Sequence, residues 1–62
     1  MHNIMKIGID ILGIDEPSRI INFVNSYKDD EVKLYVYGLE ENLDQITKTE
    51  NIIKNVCTEE VL

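Results

Sequence analysis

Two carboxylates and a glycine sit where a strand gives way to a helix: Asp10, Gly13 and Asp15 in the run Ile9-Asp10-Ile11-Leu12-Gly13-Ile14-Asp15-Glu16-Pro17. In an α/β chain, ligands collect at the carboxyl ends of parallel strands, so this junction is the first place to look for chemistry. Asp10 and Asp15 can orient a donor group or a water. They cannot themselves attract an anion, because like charges repel, and residues 11–17 contain no lysine or arginine. Gly13 lacks a Cβ, which suits a phosphate cradle and equally suits a tight strand-to-helix turn. The run does not have the G-x-G-x-x-G spacing of a dinucleotide fingerprint. No residue is assigned a catalytic role.

The other chemically capable residues read as structural. Cys57 has no base near it in sequence and reads as a small buried apolar group. His2 lies at the terminus. One histidine and one cysteine do not make a tetrahedral zinc site, and a single cysteine excludes an internal disulfide. Tyr27, Tyr35 and Tyr37 read as packing groups, Gly38 as a turn after a strand, and Glu40-Glu41 as favourable charge at a helix start. Nothing here requires a cofactor.

The elements that must position these residues follow from periodicity. Residues 4–12 alternate Ile7, Ile9 and Ile11 with Lys6, Gly8 and Asp10, and the run is apolar enough on both sides to predict a central strand. Pro17 suits the first position of a helix, where its missing N–H costs nothing. Asp15 or Glu16 places negative charge at the positive end of that helix. Ile20, Phe23, Val24 and Tyr27 form its expected apolar face, with Lys28 in its last turn. Val32, Leu34 and Val36 alternate with Lys33, Tyr35 and Tyr37 in a second strand. A short helix follows from Glu40 to about Thr47, with Leu39, Leu43 and Ile46 inward. Ile52 to Val56 forms a third strand, and Thr58 is a candidate cap for whatever the tail begins.

The order β-α-β-α-β, with helix-length connections, predicts an α/β fold: a three-stranded parallel sheet with right-handed crossovers, half of a doubly wound Rossmann-like fold. Residues 1–62 read as one domain. Two crossovers of one hand leave one sheet face without helices. That face is expected to expose Ile and Val side chains and to promote association. A chain this short buries only roughly 60% of its unfolded surface and needs further stabilisation. Together these features predict a homo-oligomer or docking onto a larger chain.

Six basic residues against twelve acidic ones give a net charge of −6. That balance argues against nucleic acid and against an anionic membrane surface. No apolar stretch is long enough to span a bilayer. With no secretory signal and a lone thiol, the expected location is cytoplasmic.

From Met5 onward the chain resembles the N-terminal segment of the bacterial phosphate acyltransferase of fatty acid and phospholipid synthesis. Met5-Lys6-Ile7-Gly8-Ile9-Asp10 resembles that family's opening strand, of the type M-K-I-A-I-D. Ile11-Leu12-Gly13-Ile14-Asp15 resembles its loop, of the type A-M-G-G-D, and Pro17 its helix-starting proline. Val36-Tyr37-Gly38-Leu39-Glu40-Glu41 has the form of its second strand end, and Cys57 to Leu62 resembles the segment after the third. Two departures stand out. Ile14 replaces the second loop glycine, and a β-branched residue disfavours φ > 0 and close approach to phosphate. One residue is also missing between Asp15 and Pro17.

The resemblance implies a relation to acyl transfer from acyl carrier protein to inorganic phosphate, with Asp10, Gly13 and Asp15 lining the phosphate end. It covers only the first part of such an enzyme, so the chain is expected to be a truncated module, inactive alone, that docks onto a larger acyltransferase. The alternatives are a small dimerising or regulatory interaction module and a weak phosphate or nucleotide binder.

Overall fold

A computed structural model describes residues 4–57. His2 and the tail beginning at Thr58 lie outside the described residues. In chain order the elements are β1 (Met5–Asp10), α1 (Ser18–Ser26), β2 (Val32–Gly38), α2 (Glu40–Leu43) and β3 (Ile52–Val56). The three strands form one parallel sheet in the order β1-β2-β3. This is the α/β half-fold that the alternation of strand and helix patterns predicts.

β2 occupies the centre. Its residues are buried and less buried in strict alternation: Val32, Leu34, Val36 and Gly38 lie in the core, while Lys33, Tyr35 and Tyr37 alternate with them. The core consists of Ile11, Ile21, Val24, Val32, Leu34, Val36, Leu43 and Ile46. Both helices contribute to it, so both cover the same sheet face, as two crossovers of one hand require.

β1 is an edge strand, which corrects the expectation of a central one. Among the described residues its only sheet neighbour is β2, in the register Met5↔Val32, Ile7↔Leu34 and Ile9↔Val36. Met5 is 60% exposed and Ile7 37% exposed, although both register with core residues of β2. The apolar pattern of a strand reports what its side chains would accept, not which elements arrive beside it.

The face without helices also differs from expectation. Registered partners in parallel strands project to the same side, so this face carries Lys6, Gly8 and Asp10 from β1, Lys33, Tyr35 and Tyr37 from β2, and Ile53 and Asn55 from β3. Of these eight, Ile53 alone is an Ile or Val. The registers align the apolar phases of β1 and β2 on the helix side, leaving a largely polar and aromatic surface opposite.

α1 starts one residue later than expected. Pro17 is its cap residue, with φ −74°, and the Pro17 carbonyl accepts the Ile21 N–H at 2.9 Å. The buried residues of α1 are Ile21 and Val24, while Phe23 is 52% exposed. The inward face is thus rotated toward Ile21 and away from Phe23. The helix ends at Ser26, so Lys28 lies beyond its last turn. Phe23 instead rests against Tyr27, with ring centroids 5.2 Å apart.

α2 is shorter than the expected helix. After Leu43 the chain tightens into i→i+3 bonds, Gln45 N–H to Asn42 O at 3.1 Å and Ile46 N–H to Leu43 O at 3.0 Å. Leu43 and Ile46 still reach the core. Asn51, with φ 61°, then turns the chain into β3. Asparagine tolerates that left-handed conformation better than most residues.

Candidate functional site

The segment linking β1 to α1 is tied together by the side chain and backbone of its own residues. Asp10 Oδ1 accepts the Leu12 N–H at 2.9 Å, closing a local turn. The Ile14 N–H points to the Ile11 carbonyl at 3.4 Å. Gly13 has φ +78°, with nothing within 4 Å of where a Cβ would stand. The glycine therefore serves backbone conformation, not close packing.

Asp10, Gly13 and Asp15 are all exposed on this loop, and Ile14 beside them is 38% exposed. One shallow depression near the carboxyl end of the sheet is lined by Leu39, Glu40, Glu41 and Asp44. None of the three sequence-nominated residues lines it. Three of its four lining residues are carboxylates, so its field disfavours phosphate. Asp15 and Glu16 precede the cap of α1, and its first turn contains no acidic residue.

Sequence reasoning assigned Gly38 to a turn. The structure gives it a different duty: it is the buried last residue of β2, and an added Cβ would sit 2.6 Å from Ile11 Cγ1. Ile11, 1% exposed, thus passes over the end of the central strand only because residue 38 has no side chain.

Asn25 was missed altogether. Its Oδ1 accepts the Thr47 N–H at 2.8 Å and the Lys48 N–H at 3.2 Å, and its Nδ2 donates to the Gln45 carbonyl at 3.2 Å. The Lys48 ammonium donates to the Tyr27 carbonyl and lies 6.0 Å from the Tyr27 ring centroid. A signal existed in the sequence. Asparagine is a poor residue for a helix interior unless its amide has a tertiary task.

Cys57 is half-buried and not fully enclosed. Its N–H continues the sheet ladder to Gly38 O at 2.8 Å, and its Sγ lies 3.8 Å from Asn55 O. Among the described residues, no three His, Cys, Asp or Glu side chains are placed to hold a metal ion. No helix among them is long and apolar enough to cross a membrane.

Fold and site together define an open parallel α/β unit, a three-stranded Rossmann-like half-fold with an exposed, self-capped loop at the carboxyl end of β1. No family model matches the chain, and comparison with curated proteins and with solved structures returned no match.

Proposed function

We propose that this chain is a non-catalytic α/β module related to the N-terminal segment of phosphate acyltransferases, and that it acts by association. The relation rests on the run from Met5 to Pro17. The loop glycine of that run, Gly13, adopts a positive φ, as a tight strand-to-helix turn favours. The observation that carries the non-catalytic reading is electrostatic. The loop has no cation, and the depression after β2 is walled by Glu40, Glu41 and Asp44. An acyl acceptor as negative as phosphate needs compensating donors there. Association is favoured by apolar side chains left in water on β1, where Met5 and Ile7 line the helix side without cover.

In this reading the protein works in a cytoplasmic, lipid-synthesis setting. The test is an acyl-phosphate assay with acyl carrier protein thioester and inorganic phosphate. The pure chain is expected to give no turnover above background, and sustained turnover would overturn the proposal. Titration with millimolar phosphate is expected to leave the amide resonances of Gly13, Ile14 and Asp15 in place. Saturable shifts there would favour the phosphate-binding alternative.

A further inference from the structure

β1 lies at the edge of the sheet beside β2. Met5 N–H donates to Glu31 O at 2.9 Å and Ile11 N–H to Tyr37 O at 2.9 Å, so the odd-numbered residues of β1 turn their backbone groups toward β2. Strand geometry then turns the N–H and C=O groups of Lys6, Gly8 and Asp10 outward. These three are exposed.

We propose that two copies of this chain join by antiparallel pairing of β1 with β1, with the two-fold axis at Gly8. This names the partner and the surface for the association reading above and rests on it. In that register Gly8 faces Gly8, and Lys6 of each copy stands opposite Asp10 of the other. All are hydrogen-bonded pairs that exchange both backbone bonds. The result is one continuous six-stranded sheet with a closed, isologous interface.

Three features favour this arrangement over its competitors. The first is charge. Other two-fold registers that use the same outward groups place Lys6 against Lys6, Asp10 against Asp10, or either residue against a neutral one. Centring on Gly8 gives two opposite-charge cross-strand pairs, and opposite charges at such positions stabilise while like charges destabilise. The second is apolar continuity on the helix side, where Ile7 of each copy meets Ile9 of the other. Met5 and Ile7, 60% and 37% exposed, are the uncovered residues that such pairing would cover. The third is the opposite edge. On β3 the outward groups belong to Ile52, Lys54 and Val56, because Leu34 N–H bonds to Asn51 O and Cys57 N–H to Gly38 O. Two-fold pairing centred there sets Lys54 against Lys54, the neighbouring registers set Lys54 against Ile52 or Val56, and none of them gives an opposite-charge pair among these residues.

The test is a charge exchange read by sedimentation and by amide hydrogen exchange. Lys6→Asp alone places Asp against Asp, and Asp10→Lys alone places Lys against Lys. Each variant is expected to dimerise at least about tenfold more weakly than the parent chain. An equimolar mixture of the two restores both opposite-charge pairs, so a heterodimer of near-parental affinity is expected. In the parent chain the Gly8 amide is expected to gain exchange protection with rising protein concentration, while the outward Lys54 amide does not. The exchange reading is independent of whether either variant folds. A parent chain that stays monomeric at millimolar concentration, or a Gly8 amide whose protection is concentration-independent, overturns the pairing. A dimer indifferent to both substitutions overturns it too, but leaves the association reading standing.

Discussion

Ile11 and Gly38 occupy one space between them: a Cβ on Gly38 would lie 2.6 Å from Ile11 Cγ1. Ile11 is β-branched and 1% exposed, so it has no other rotamer to move into without disturbing the core. Residue 38 ends the central strand, and residue 11 begins the loop that carries Gly13. The packing of one therefore sets the path of the other. Gly38→Ala is expected to destabilise the fold by about 1–3 kcal/mol through overpacking. Equilibrium urea unfolding checks this, and Ile11→Val in the Gly38→Ala background is expected to recover little, because valine keeps Cγ1 and loses only Cδ1, which lies 3.0 Å from the added Cβ.

Gly13 is expected to respond differently, because open space surrounds it. Its φ of +78° is the whole constraint. Gly13→Ala is expected to cost about 1–2 kcal/mol from backbone strain alone. Gly13→Asn is expected to cost less, since asparagine visits the left-handed region more readily. Parallel denaturation curves for the two variants check the order. Equal losses would mean that the side chain meets a neighbour.

Asn25 fastens α1 to the segment after α2 through three hydrogen bonds, two accepted by its Oδ1 and one donated by its Nδ2. Asn25→Ala removes all three; the bonds to Gln45 and Thr47 are exposed and open to replacement by water, whereas the bond to Lys48 is half-buried. The expected loss is about 1–2 kcal/mol. The Thr47 and Lys48 amides should lose exchange protection first, whereas the Leu34 and Val36 amides in the central strand should follow global unfolding.

Ile21 and Phe23 separate the helical pattern from the packed structure. Ile21 is 3% exposed and Phe23 52% exposed. Ile21→Ala is expected to cost about 2–5 kcal/mol, enough to unfold a domain this small. Phe23→Ala loses mainly its contact with Tyr27 and is expected to cost under about 1.5 kcal/mol. Thermal melts of the two variants check the ranking. A larger loss from Phe23→Ala would place the apolar face where periodicity alone put it.

The strands were legible because their signal is local. Val32, Leu34 and Val36 alternate with Lys33, Tyr35 and Tyr37 at the period of a pleated strand, and the element found runs from Val32 to Gly38. β3 likewise occupies Ile52 to Val56. The helices were legible as to existence, and their facing was legible at Ile20, Val24, Tyr27, Leu43 and Ile46 but not at Ile21 and Phe23. Ile20, Ile21, Phe23 and Val24 offer two adjacent apolar stripes, and the position of the sheet decides which one is buried. The path of the chain after α2 depended on tertiary bonds, those of Asn25 to Gln45, Thr47 and Lys48, whose partners no local pattern encodes.

Of the candidate site, the sequence by itself determined the residue types and the junction: Asp10, Gly13 and Asp15 between a strand and a helix, with no cation among residues 11–17. It also determined the order of elements, because local periodicity and helix-length connections leave few topologies. The tertiary structure alone decided that β1 lies at an edge, that Lys6, Tyr35 and Asn55 share the open face, and that Gly38 is a glycine for the sake of Ile11. The physical reason is range. Alternation and capping are set by neighbours along the chain, whereas register, exposure and close approach are set by which distant residues arrive beside them.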